Sequence, residues 1–241
     1  MMMLAYHEFS RVLERDVYSL PADTFRRHAD LAQKVRGSVN RMTFDDGHRS
    51  QFEIAAPILD DLKIHALFFV TTAWVGLLPS VMLWRDVREL QQVGHVIGSH
   101  THTHPMLTAC GTVALRNELT VSKQVLEQRL GVGIDSISMP GGRINARVLA
   151  ACEEAGYKHV YTSHVGEHKH AASNSPEVIG RLIVRRATSD RTLAAYLAED
   201  PRVCRRLSIE SSAKSLVKAI AGDSLYQRLW RKAVRSESYG S

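Results

Sequence analysis

Two carboxylates stand side by side in the string Thr43-Phe44-Asp45-Asp46-Gly47. Adjacent anions repel, so a purely structural role is a poor reason to place both in one site. Successive side chains at a strand end point in different directions, so one can hold a cation while the other faces a substrate. The plain alternative is a strand that runs into an Asp-Gly turn. Three imidazoles follow in Ser99-His100-Thr101-His102-Thr103-His104-Pro105. His100 and His104, four residues apart, are expected on one side of a helical turn, a spacing that suits zinc, with His102 pointing elsewhere. Two histidines and one carboxylate, from Asp46 or Asp45, with a position left for water, are the composition of a catalytic zinc site. The third cluster is Met139-Pro140-Gly141-Gly142-Arg143. Its glycines let the backbone approach a ligand, and exposed N–H groups there can hold a developing oxyanion. Taken alone, that string is a turn.

Short apolar runs place these clusters. Strands are expected at Met2–His7, Val39–Phe44, Ala66–Thr71, His95–Ser99, Ser136–Met139, His159–Thr162 and Leu182–Arg185. Amphipathic stretches of helical length lie between them, at Ala22–Lys34, Ser50–Leu62, Trp84–Gln92, Val113–Leu130 and Asn145–Ala155, the last closed by Gly156. The alternation predicts a parallel sheet flanked by helices, open or closed into a barrel. Chemistry in such folds sits at the C-terminal ends of strands, and each of the three clusters directly follows a strand.

The chain has 241 residues and a formal charge of +6, unevenly distributed. Residues 1–174 carry 18 basic and 18 acidic side chains, and residues 175–241 carry 13 and 7. The basic character therefore belongs to the last third and not to the body, which argues against nucleic-acid binding. After Arg186 the pattern turns helical, at Asp190–Leu197, Arg202–Val217 and Asp223–Val234. In the last of these, Leu225, Tyr226, Leu229, Trp230 and Ala233 form an apolar stripe beside Arg228, Arg231, Lys232 and Arg235. Such a helix packs on the body with a solvated basic face, or meets an anionic surface. Cys110, Cys152 and Cys204 are scattered and read as reduced thiols. The uncharged stretch between Lys63 and Arg85 reads as a strand, a loop and a helix start, not a membrane span. No signal-peptide pattern opens the sequence, so a cytoplasmic protein is expected, peripheral to the inner membrane if the basic tail meets it.

Taken together, Asp-Asp, His-x3-His and Pro-Gly at successive strand ends resemble the polysaccharide deacetylases of the NodB-homology type, carbohydrate esterase family 4. Thr43–Gly47 matches the family's first motif in full, and Ser99, His100, Thr101, Thr103, His104 and Pro105 match its second. The likeness runs from about Met3 to Arg186. Leu4-Ala5-Tyr6-His7, Gly156–Ser163 and Gly180–Arg185 resemble the branch acting on exopolysaccharides. The resemblance implies a distorted (β/α)7 barrel over residues 1–186, with residues 187–241 as a basic helical extension. It implies that Asp46, His100 and His104 hold a divalent metal, zinc foremost, and that Asp45 is the general base on a metal-bound water. The water would attack the N-acetyl, or less readily O-acetyl, carbonyl of a sugar, with oxyanion and substrate contacts from Pro140, Gly141, Gly142 and Arg143. His7, Ser99, Thr101 and Ser138 would stand behind them.

Two departures from the family pattern stand out. The third motif has an Arg two residues before its Pro, which orients the catalytic Asp; here that position is Ser138, and Arg143, across the turn, is the partial substitute. The family's late His, a general acid, has no counterpart, since His170 is the last histidine and only His164, His168 and His170 lie near. The expected activity is deacetylation of an N-acetylated sugar in surface-glycan biosynthesis, with an anionic carrier lipid or membrane as a partner of the basic tail and no nucleic acid. The rivals are an amidase acting on a small non-sugar amide, and a glycan-binding subunit weakened as a catalyst.

Overall fold

A computed structural model describes residues 2–11, 16–35, 41–166, 168–169 and 175–221. The first elements are β1 (Met3–Tyr6), β2 (Glu8–Ser10), β3 (Ser19–Pro21) and α1 (Ala22–Lys34). Then come β4 (Met42–Phe44), a π-helical turn (Gln51–Ala55), α2 (Ala56–Asp61), β5 (Leu67–Val70), α3 (Trp84–Gln92) and β6 (Val96–Ser99). The second half adds α4 (Thr112–Leu130), β7 (Ser136–Ser138), a short turn at Pro140–Gly142, α5 (Ala146–Glu154) and β8 (His159–Thr162). Last are β9 (His168–Lys169), β10 (Glu177–Ile183), α6 (Asp190–Leu197) and α7 (Pro201–Ala221).

Seven strands pair in parallel in the order β1, β4, β5, β6, β7, β8, β10, and β10 pairs back with β1, which closes the ring. β9 adds antiparallel to β10, and β2 with β3 forms a separate pair. The fold is thus the (β/α)7 barrel. Its strands are covered by helices outside and by side chains inside, so β1 and β5 are buried at every position. Inside the ring Met3, Leu67, Phe69, Tyr161 and Ile179 form a small apolar plug. Phe69 fits there because β6 carries Gly98, where a Cβ would stand 2.6 Å from its ring. The larger core lies between strands and helices.

The expected strand Leu182–Arg185 is corrected to β10, which begins at Glu177 and ends at Ile183. Gly180 and Arg181 interrupt the apolar run that marks a barrel strand, and that interruption hides its first half. The helix expected over Ser50–Leu62 is split into the π-helical turn and α2. Beyond Arg186 the described residues stay packed on the barrel. Leu193, Tyr196 and Leu197 of α6 join the core, and the Tyr196 hydroxyl donates to the Met3 carbonyl at 3.3 Å. On α7, Ser211 Oγ donates to the Ser163 carbonyl at 3.1 Å. The expected helix Asp223–Val234, with its apolar stripe and Arg228, Arg231, Lys232 and Arg235, lies outside the described residues. Among the described residues no helix is long and apolar enough to cross a membrane.

Two imidazoles are sealed between barrel and helices. His28 of α1 sits between the Tyr6 hydroxyl and Asp190, and His95 accepts from the Ala66 N–H and faces Asp60 at 3.4 Å. Burial lowers both below 6.5, against the pull of Asp190 and Asp60. The unfolded chain then takes up protons at a pH where the folded one does not. Stability should therefore be lost as the pH falls below about 6.5. Urea midpoints at pH 7.5 and 5.5 should show the loss, and His28→Gln should shrink it; equal slopes in both proteins would rule out His28 as a source.

Candidate functional site

β1 and β4 run side by side, and their ladder continues past both strands, since the Asp45 N–H donates to the Tyr6 carbonyl at 2.9 Å. This fixes Asp45 at the C-terminal mouth of the barrel, where its side chain is buried. Asp46 and Gly47 follow with φ of 74° and 76°, in the left-handed region. Behind them Gln51, fully buried in the π-helical turn, donates its amide to the His7 carbonyl at 2.6 Å and to the Asp45 carbonyl at 2.5 Å. One side chain thus ties the ends of β1 and β4 together. Nothing in the sequence marks Gln51; a π-helical turn at a functional site is a recurrent association, but it becomes visible only in the fold.

The histidine segment is not a helical turn, contrary to expectation. Thr101 and His104 have φ of 66° and 62°, which no helix accommodates. Each such residue costs about 1–3 kcal/mol, which the surroundings must offset. Here the Thr101 N–H donates to Ser99 Oγ at 3.1 Å, and the His104 N–H to Thr101 Oγ1 at 3.1 Å. Glu118 of α4 accepts the His102 and Thr103 N–H groups at 2.9 and 2.8 Å. This loop still brings His100 Nε2 and His104 Nε2 to 3.1 Å, with Asp46 Oδ1 at 3.2 and 3.3 Å from them. His102 turns away to Thr72 Oγ1 at 2.9 Å.

Those three side chains fit a divalent metal by their donor chemistry. His100 Nδ1 meets the Ser138 carbonyl at 2.9 Å. A carbonyl only accepts, so the proton sits on Nδ1 and the lone pair of Nε2 faces Asp46 and His104. Two imidazole nitrogens and a carboxylate oxygen, all within 4.8 Å of one another, make a set that could hold a metal ion.

The partner of Asp45 is Arg181, not Arg143. Arg181 of β10 is completely buried, and its guanidinium grips Asp45 with two bonds of 2.8 Å. Its other N–H groups donate to Thr43 Oγ1 at 2.7 Å, Ser138 Oγ at 2.7 Å and the Thr162 carbonyl at 3.3 Å, so all five are used. Ser138 Oγ in turn donates to Asp45 Oδ2 at 3.1 Å. Ser138 is small enough to leave space for an arginine from across the barrel, and its hydroxyl joins the network. Burial alone would raise the Asp45 carboxyl, but Arg181, His100 and His7 outweigh it and hold it below the usual range. Asp45 is therefore ionised at neutral pH.

A cleft of about 850 Å³ opens above this floor, and Asp45, Asp46, His100 and His104 all line it. His7 lines it too, its ring tilted against the Tyr18 ring at 5.1 Å, with a buried Nδ1 that has no hydrogen-bond partner among the described residues. Burial lowers the His7 imidazole against the pull of Asp46 and Asp45. Gly141, Gly142 and Arg143 form one lip, and Pro140 is buried behind it. Gly142, at φ 70°, is pressed on Ser163, whose backbone nitrogen would stand 2.7 Å from an added Cβ. Its glycine thus serves packing at the end of β8. His164 lines the cleft, His168 instead pairs with Glu177 at 3.3 Å, and His170 lies outside the described residues.

The sequence profile described as polysaccharide deacetylase matches residues 32–160. The chain is 31% identical over 119 residues to the peptidoglycan-N-acetylglucosamine deacetylase of Bacillus cereus, covering 48% of this chain and 41% of that one. It is 33% identical over 126 residues to a chitooligosaccharide deacetylase of Rhizobium leguminosarum bv. trifolii, covering 51% and 55%. The chain spans about half the length of the curated relatives it matches. Its fold is similar to that of the Streptococcus pyogenes deacetylase PplD, with TM-score 0.71, 20% identity and coverage of 82% and 97%. IcaB from Ammonifex degensii has TM-score 0.67 at 23% identity, covering 81% and 96%. With a profile match over more than half its length and the motifs of that match gathered at one barrel mouth, the chain belongs to the polysaccharide deacetylase family.

Proposed function

We propose that the chain is a metal-dependent hydrolase that removes the N-acetyl group from an amino sugar of a polysaccharide or glycoconjugate. The observation that carries this is the ionised Asp45, clamped by Arg181, beside the Asp46, His100 and His104 donor set in one cleft. The names of the relatives, deacetylases of peptidoglycan and of chitooligosaccharide, support the choice of an acetamido sugar. Asp46, His100 and His104 would hold the metal, which when bound polarises the acetyl carbonyl and acidifies water. Asp45 takes the proton of the attacking water. Of its two oxygens, Oδ2 carries bonds from Arg181 and Ser138, whereas Oδ1 carries one from Arg181, so Oδ1 is the better acceptor. The Gly141–Arg143 lip borders the acetyl group. The C–N bond breaks, and the leaving nitrogen needs a proton.

His7 is the side chain we assign to that proton. It lines the cleft, and its buried Nδ1 has no hydrogen-bond partner among the described residues. The proton that Asp45 takes from the water passes to this imidazole, and because burial favours the neutral ring, the imidazolium so formed hands that proton on to the leaving nitrogen. Zinc-loaded protein should release acetate from N-acetylglucosamine oligomers. His7→Gln should lower kcat by about 10²–10³-fold with bound metal unchanged, whereas His164→Gln should leave kcat within a few fold. No acetate from a broad panel of acetylated glycans, with metal bound, would sink the assignment in favour of a small amide or a binding role.

A further inference from the structure

Arg181, Ile183 and Arg185 alternate along β10 and past its end, so they share the inner face of the barrel wall. Arg181 is on the floor with Asp45, whereas Ile183 and Arg185 line the cleft above it. Four residues of extended chain place Arg185 roughly 13 Å further toward the mouth. The guanidinium of Arg185 lies over the Tyr18 ring at 5.5 Å, and the same ring packs tilted against His7 at 5.1 Å. Its Nε is buried and has no hydrogen-bond partner, and the side chain forms no ion pair among the described residues. The neighbouring Arg186 shows the contrast, with its guanidinium donating to the Ser19 carbonyl at 3.4 and 3.2 Å.

A buried guanidinium N–H without an acceptor is costly to keep, and the group's planar fork matches oxyanions. The acidic groups that share the cleft wall are engaged otherwise. Asp16 Oδ1 accepts the Tyr18 N–H at 2.6 Å, Glu8 faces His48 at 4.0 Å, and Glu210 stands on α7. We propose that Arg185 is a subsite for an oxyanion, a phosphate or a carboxylate, carried by the sugar substrate next to the unit that loses its acetyl group. The Tyr18 ring beneath it holds the guanidinium at the cleft wall. The inference rests on the deacetylase reading for the identity of the sugar but not for the anion.

The test is titration calorimetry on zinc-loaded protein with N-acetylglucosamine, N-acetylglucosamine 1-phosphate and an N-acetylglucosamine–glucuronate disaccharide. At least one anionic ligand should bind about 10- to 100-fold more tightly than the neutral sugar. The phosphate and uronate arms separate the two sources. Arg185→Gln should erase that preference and leave the affinity for the neutral sugar within about 2-fold. Equal affinity for charged and neutral sugars, or an equal loss for both in Arg185→Gln, overturns the proposal. Acetate release, followed separately, reports on the deacetylase reading: charge-selective binding without acetate would sink that reading and spare the subsite.

Discussion

Arg181→Met should be the most damaging single change in the barrel. It leaves the Asp45 carboxylate buried without its cation, a loss of about 3–5 kcal/mol. For a chain of this size that lowers Tm by roughly 6–20 °C. The protonation behaviour of Asp45 should also invert. With Arg181 present its carboxyl lies below 3.8, so its contribution to stability is complete above that pH and is lost as the pH falls through the lowered value. Without Arg181 burial dominates and the carboxyl rises. The variant's deficit should then shrink on acidification, and the acid limb of any activity profile should move upward. Adding Asp45→Asn to Arg181→Met removes the unpaired charge and should recover part of the lost stability while activity stays absent. A Tm within 2 °C of the parent for Arg181→Met, taken against the ~6 °C minimum expected, would show that the pair holds nothing together.

Asp46→Gly separates the two roles of its position. Asp46 sits at φ 74°, a conformation glycine adopts without penalty, so the variant should regain roughly 1 kcal/mol of backbone strain. The contacts of the Asp46 carboxylate with His100 and His104 are lost and offset that gain, so the metal-free variant should be about as stable as the metal-free parent. The difference should appear when metal is added. At 1,000 times the dissociation constant a bound ion stabilises by about 4 kcal/mol, which raises Tm by roughly 8–16 °C. The parent should show that rise and one zinc per chain by elemental analysis, and Asp46→Gly should show neither. A full metal-induced rise in the variant would remove Asp46 from the ligand set.

The motifs were legible because their chemistry needs rare residue types close together, and Asp45-Asp46 and His100-x3-His104 are such concentrations. That they follow strands was legible from the apolar runs. The geometry joining His100 to His104 was not, because spacing suggests a helix whereas Thr101 and His104 are left-handed. A backbone of that kind has no one-residue signature outside glycine. Arg181 was missed for a related reason. An arginine inside an apolar run reads as the edge of a strand, and only the fold shows that its charge is met by an aspartate 136 positions away. The same blind spot shortened β10 and made Ser138 look like a defect. Ser138 and Arg181 exchange what one arginine would supply, and no local pattern reveals such a trade.

β10 is the last strand of the ring in chain order, and it carries Arg181 to an aspartate 136 positions earlier. Without that strand between β1 and β8, Asp45 would lack Arg181 and the barrel would have an open seam. The same strand therefore closes the sheet and brings Asp45 its guanidinium partner. A chain lacking β10 should keep Asp46, His100 and His104 in reach of one another yet leave Asp45 without Arg181. One strand thus serves both the continuity of the wall and the charge balance at its mouth.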